Sequence, residues 1–263
     1  MTNQLNYWTE LSVEYANQRN YLDDLFSVYP TIPEGIREID EIKWNRIEHS
    51  FNENNNSQLI ESLLELDLFP IKDSYVAYLK RDRSSIERNP QTINRLCGRL
   101  YEMGLNKIFE KCSEPKETNR QIGPLFKRWI QRNTIGVPLL DQMSFLSADE
   151  NSILIGSDRE LQDFATNQLG YRRDKGLDFI GKFNGKYVIG EAKFLTDFGG
   201  HQNAQFSDAI STIEDEYVKA EKIAILDGVL YIKGNHKMYK FLRNNPNHII
   251  ISSLLLRDFL FQL

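Results

Sequence analysis

Residues Gly176 to Phe194 read Gly-Leu-Asp-Phe-Ile-Gly-Lys-Phe-Asn-Gly-Lys-Tyr-Val-Ile-Gly-Glu-Ala-Lys-Phe, and two alternating runs in that stretch meet at Asn184-Gly185. Asn-Gly tolerates the positive φ that both central positions of a type I′ turn demand, so the stretch predicts a β-hairpin. The turn sets the register: Phe183 opposite Lys186, Lys182 opposite Tyr187, Ile180 opposite Ile189, and Asp178 opposite Glu191. Two carboxylates then face each other at the cross-strand Cβ spacing of about 5 Å, and they repel unless a cation lies between them. Lys193 is two residues past Glu191, so alternation puts its ammonium on the same face. Val188, Gly190, Ala192 and Phe194 take the other face, the one expected to be buried against a helix. Two hard oxygen donors with room for water suit Mg²⁺, which prefers a few carboxylates plus phosphate oxygens to an all-protein cage.

Asp178, twelve intervening residues and then Glu191-Ala192-Lys193 resemble the motif of the metal-dependent nuclease superfamily named for Pro-Asp…(Asp/Glu)-X-Lys, best known from type II restriction endonucleases. Leu177 stands where the name-giving proline would be, and the likeness spans about residues 157 to 215. The resemblance implies an α/β fold, a mixed central β-sheet flanked by helices (a restriction-endonuclease-like core), with a helical N-terminal region. It further implies Mg²⁺-dependent, sequence-specific hydrolysis of double-stranded DNA by a homodimer, since two strands must be cut on a two-fold symmetric site. Asp178 and Glu191 would hold the metal, and Lys193 would orient or deprotonate the attacking water or stabilise developing charge. The resemblance also nominates Glu160 as a further catalytic carboxylate, although Ser157 and Glu160 equally have capping-box spacing. Other readings of the same residues are a repair nuclease or junction resolvase, an inactive DNA-binding protein, and a plain surface hairpin.

The 263 residues, 41% hydrophobic and 26% charged, describe a globular chain large enough for a sizeable core. No apolar run reaches the roughly 20 residues that span a bilayer, and the opening Met-Thr-Asn-Gln-Leu-Asn lacks the basic and apolar regions of a signal peptide, so the expectation is a cytoplasmic protein without a membrane segment. Cys97 and Cys112 are the only cysteines and suggest neither a disulfide framework nor a zinc site. Net charge is −5, but residues 71 to 132 carry fourteen Lys and Arg against seven Asp and Glu. A concentrated basic surface beside a nuclease-like hairpin points to phosphate contacts.

Residues 1–150 read as mostly helical, the candidate region for DNA recognition and dimerisation, and 151–263 as the catalytic core. Helical spacing runs through Trp8 to Phe26, Ile36 to Phe51 and Leu59 to Leu66, with Pro30, Pro33 and Pro70 as interruptions. Asn89 as N-cap and Pro90 at the first position open a helix with Ile93, Leu96, Cys97 and Leu100 inward and Gly104 at its end. Its outer residues Asn94, Arg95 and Arg99, with Arg81 and Arg83 before it, are of types that bond base edges and phosphates. Lys127, Arg128 and Arg132 form a second basic segment. Residues 133–151 read as a connection. Past Lys193, a helix over about 202–219 would aim its first turn at the hairpin's active end, with Gln202 and Asn203 against DNA. Lys222 to Leu226 then predicts a strand parallel to the hairpin's second strand. Ile249 to Ile251 predicts another, and Met238 to Leu242 and Leu254 to Leu263 are helical.

Overall fold

The computed structural model describes residues 5–18, 20–30, 37–115 and 122–263. The chain divides into two compact units, Met1–Thr31 with Thr118–Leu263, and Ile32–Glu117. Residues 1–150 are thus shared between the units.

The first unit opens with α1 (Tyr7–Ala16) and α2 (Tyr21–Val28). The second unit consists of α3 (Glu41–Asn52), α4 (Asn56–Leu64), α5 (Ser74–Arg81), α6 (Ser85–Arg88), α7 (Pro90–Met103) and α8 (Leu105–Cys112). Returning to the first unit, the chain forms α9 (Ile122–Gln131), β1 (Leu139–Leu140), α10 (Gln142–Ser147), β2 (Ser152–Leu154) and α11 (Asp158–Phe164), which continues as a π-turn over Ala165–Leu169. It ends with β3 (Phe179–Phe183), β4 (Lys186–Leu195), α12 (Gly200–Ile213), β5 (Glu221–Gly228), α13 (Lys237–Asn244), β6 (Ile249–Ile251) and α14 (Leu256–Phe261). Among the described residues no helix is long and apolar enough to cross a membrane.

The six strands lie in chain order in one mixed sheet. The β2–β3 and β3–β4 pairs are antiparallel, while β1–β2, β4–β5 and β5–β6 are parallel. The hairpin register is the one its turn chemistry dictates, with Phe183 paired to Lys186, Lys182 to Tyr187 and Ile180 to Ile189. Asn184 and Gly185 have φ of 49° and 78°, the left-handed geometry of the type I′ turn. Alternation divides the strands between two cores. Val188 and Ala192 join Phe206, Ala209 and Ile210 of α12 and Phe126 of α9, whereas Ile180 and Ile189 join Phe145 of α10 and Leu161 and Phe164 of α11. Helices therefore cover both faces, which is why Val188 and Ile189 of β4, on opposite faces, and Ile223 and Ile225 of β5 are all fully buried.

Three boundaries depart from the sequence pattern. The stretch 133–151 contains β1 and α10, the latter capped by Asp141, whose Oδ1 accepts the Met143 and Ser144 N–H groups at 3.0 and 3.1 Å. The described part of the helix read over 36–51 begins at Glu41, capped by Asp40, with Ile39 before the helix and Ile36 outside the described residues. The helix read over 202–219 runs from Gly200 to Ile213 only. Asp215 turns the chain by accepting the Tyr217 N–H at 3.1 Å, and Lys219 N–H bonds Leu169 O at 2.7 Å, so tertiary contacts override the helical pattern of residues 214–219.

The second unit has its own core, built on Ile47, Leu59, Ile60, Leu63, Ile93, Leu96, Cys97 and Leu100. The four inward residues assigned to α7 are all buried. Asn89 sits at the N-cap, but its side chain makes no cap bond and instead donates to Ser85 O at 2.7 Å.

Candidate active site

Asp178 immediately precedes β3, where its N–H donates to Gly190 O at 3.2 Å and extends the hairpin by one step. Its Oδ2 accepts the Ala192 N–H at 2.9 Å, so the side chain is anchored on β4. Lys193 Nζ lies 3.3 Å from the same Oδ2 and 2.6 Å from Glu191 Oε1. The ammonium thus sits between the two carboxylates, as their repulsion requires. Glu191 is only 2% exposed, and its Oε2 is buried with no hydrogen-bond partner among the described residues. Burial, then the charge of Asp178, raises the Glu191 pKa, with Lys193 and Lys175 opposing. For Lys193 burial alone would push the pKa down, but the two carboxylates overcome it and hold the group above its ordinary value.

An orphaned buried carboxylate oxygen beside a second carboxylate fits a divalent cation, because such an oxygen otherwise keeps its full desolvation cost. Among the described residues no group of three or more His, Cys, Asp or Glu is placed to hold a metal ion together, so Asp178 and Glu191 would leave most of a metal's coordination to water and substrate oxygens.

A family model described as Tsp45I type II restriction enzyme matches residues 6–263. The chain belongs to that family. No curated protein and no solved structure matches it. Membership makes the chain a type II restriction enzyme, a site-specific deoxyribonuclease, and such enzymes generally use divalent metal ions.

In this restriction enzyme the sheet brings together Asp178, Glu191 and Lys193. Glu160 has another occupation: its Oε2 accepts the Ser157 N–H at 2.7 Å and its own N–H donates to Ser157 Oγ at 3.3 Å, a complete capping box for α11. Gln202 is buried, and its Oε1 accepts the Thr196 N–H at 3.2 Å. Asn203 donates to Phe198 O at 2.8 Å. Both residues brace the loop from β4 to α12 on its own backbone. Lys127 pairs with Asp158.

The remaining candidates for DNA contact lie in the second unit, and most are already paired there. Arg83 donates to Glu61 O and Leu64 O at 3.3 and 2.9 Å, capping the C-terminus of α4. Arg95 forms an ion pair with Asp73 at 2.7 Å and lies over the Tyr75 ring, while Asn94 accepts from Asn56 at 2.8 Å. Arg81 and Arg99 are exposed and make no hydrogen bond or ion pair to the described residues.

Two residues at the site carry no motif and escaped the sequence reading. Lys175 Nζ is 3.1 Å from Glu191 Oε1 and 3.2 Å from Asp208 Oδ2 on α12. A lysine three residues before the first carboxylate and an aspartate mid-helix meet only in space.

Proposed function

We propose that the enzyme is a homodimer that cuts double-stranded DNA at a specific site using Mg²⁺ held by Asp178 and Glu191, with DNA recognition and dimerisation drawn from the helical residues of 1–150. The observation that carries this reading is the Asp178–Lys193–Glu191 cluster, with the unbonded Oε2 of Glu191 left for a metal.

Bound there, Mg²⁺ would lower the pKa of a coordinated water and polarise the scissile phosphate. The protein's own groups do the positioning. Asp178 Oδ2 is pinned by the Ala192 N–H, so the two carboxylates keep a fixed separation. Lys193 has its pKa raised and stays an ammonium at neutral pH, which suits orienting the attacking water and stabilising charge on the phosphorane-like transition state rather than taking a proton. Glu160, committed to its capping box, contributes by fixing the start of α11.

Incubating the purified protein with phage λ DNA tests the reading directly. Discrete bands are expected with Mg²⁺ and none with EDTA, and sequencing the fragment ends gives the site. A metal-dependent smear, or cutting confined to branched DNA, would move the chain to a repair nuclease or resolvase.

For recognition, Arg99, whose guanidinium has no partner among the described residues, is the better candidate and Arg83 the worse. Arg99→Ala is expected to leave the melting temperature unchanged, weaken DNA binding about tenfold and flatten its salt dependence by about one unit of slope. Arg83→Ala is expected to cost about 1–2 kcal/mol of stability by uncapping α4. Denaturant melts and binding titrations at two salt concentrations separate the two, and equal melting losses would void the distinction.

A further inference from the structure

Lys175 is delivered to the site by a segment fastened at several points. Lys219 N–H bonds Leu169 O at 2.7 Å, Gln162 donates to Arg173 O at 3.1 Å, and Leu177 N–H bonds Asp158 O at 3.3 Å. Gly176 lies so flat on Asp158 that a Cβ there would meet the Asp158 Cβ at 2.5 Å. The backbone around Lys175 is therefore fixed, and its side chain is held between Glu191 on β4 and Asp208 on α12.

The two lysines on Glu191 are not equivalent. Lys193 makes a directed hydrogen bond to Oε1 at 2.6 Å. Lys175 sits at ion-pair distance from both of its carboxylates, yet its Nζ is aligned for a hydrogen bond with neither. Orientation of Glu191 is thus supplied by Lys193, and what Lys175 adds is charge. A positive charge 3.1 Å from Oε1 of the carboxylate whose other oxygen, Oε2, is left for the metal repels an incoming divalent ion. Asp208 is the group that can keep the displaced ammonium, being on α12, 3.2 Å from it and 55% exposed.

We propose that Lys175 is a resident counter-cation of Glu191 that the divalent metal displaces, and that Asp208 is the carboxylate that retains it. Lys175 is in this sense a positioning residue: it acts through Glu191 and sets the metal concentration at which the site fills. The inference rests on the metal reading above.

Calorimetric titration of the DNA-free protein with MgCl₂ or MnCl₂ tests it, alongside melting with and without the metal. Lys175→Met is expected to bind the metal about tenfold more tightly, because one competing charge is gone. Its metal-free melting temperature should fall while its metal-induced rise exceeds that of the wild type, and Lys175→Arg should restore wild-type behaviour. Asp208→Asn, which removes the receiving carboxylate at an exposed position, should weaken metal binding several-fold and carries the test if Lys175→Met does not fold. A metal-induced rise that is the same in wild type and Lys175→Met, or weaker binding by Lys175→Met, overturns the inference and leaves Lys175 an ordinary structural ion pair or a support for Glu191. A wild type that responds to neither metal, like a Glu191→Gln control, overturns the metal reading itself.

Discussion

Glu191→Gln and Asp178→Asn are each expected to reduce DNA cleavage about a thousandfold or more while leaving the protein folded. The size follows from the role proposed for both residues: losing a metal ligand would take with it both the activated water and the charge stabilisation at the phosphate. Folding survives for two different reasons. Asn at position 178 keeps an oxygen that can accept the Ala192 N–H now bonded to Asp178 Oδ2, so the junction of the two strands holds. Gln at 191 removes an ionised group that the fold disfavours, since burial and Asp178 raise the Glu191 pKa despite two lysines. The sign of the pH effect is then set. A carboxylate whose folded pKa lies above its unfolded value costs stability once it ionises, so the cost is absent below the usual glutamate range of about 4.3 and grows as pH rises through the folded pKa. The metal-free Glu191→Gln protein should therefore melt at or above the wild-type temperature at neutral pH, with the difference vanishing in acid. Cleavage within tenfold of wild type by either variant would remove these carboxylates from the active site.

The hairpin that carries the candidate site was legible because every step in it is local. Asn184-Gly185 specifies its own turn, the turn specifies the pairing of the strands, and alternation places Lys193 with Glu191. The inward face of α7 was legible for the same reason, as Ile93, Leu96, Cys97 and Leu100 mark it at helical spacing. What escaped depends on partners far apart in sequence. Nothing near Arg83 says that it will cap a helix ending nineteen residues earlier at Leu64, and nothing near Gln202 says that its amide will be buried against Thr196. Charge and residue type nominate a side chain for DNA, but whether it is already paired is decided by packing. Lys175 and Asp208 are the same case reversed, ordinary charges made relevant by the approach of α12 to β4. Short elements also escape, since β1 has two residues and too little pattern to rise above a loop.

The largest expected loss of stability belongs to a residue with no place in the chemistry. Asp227, at the end of β5, is completely buried and accepts hydrogen bonds from Tyr29 Oη at 3.1 Å, Ser253 N–H at 3.3 Å, Ser252 Oγ, and more distantly Tyr21 Oη at 3.4 Å. The Tyr21 hydroxyl also accepts the Gly228 N–H at 3.0 Å. One carboxylate thereby joins α2, the residue after it, β5 and the exit from β6. Burial raises its pKa even though the serine and tyrosine donors pull it down, so the charge is tolerated rather than favoured and its worth lies in the donors it satisfies. Asp227→Ala leaves those donors buried without a partner and opens a cavity, for an expected cost of about 3–5 kcal/mol and a fall in melting temperature of about 10 °C. Asp227→Asn keeps the shape but turns an amide NH₂ toward groups that also donate, and should lose roughly half as much, whereas Tyr29→Phe removes a single donor and should cost about 1 kcal/mol. Urea melts of the three variants order these costs. A loss below about 1 kcal/mol in Asp227→Ala would mean that burying the carboxylate costs as much as its four donors return, and that the packing of α2 against the sheet, not the network, holds this end of the molecule together.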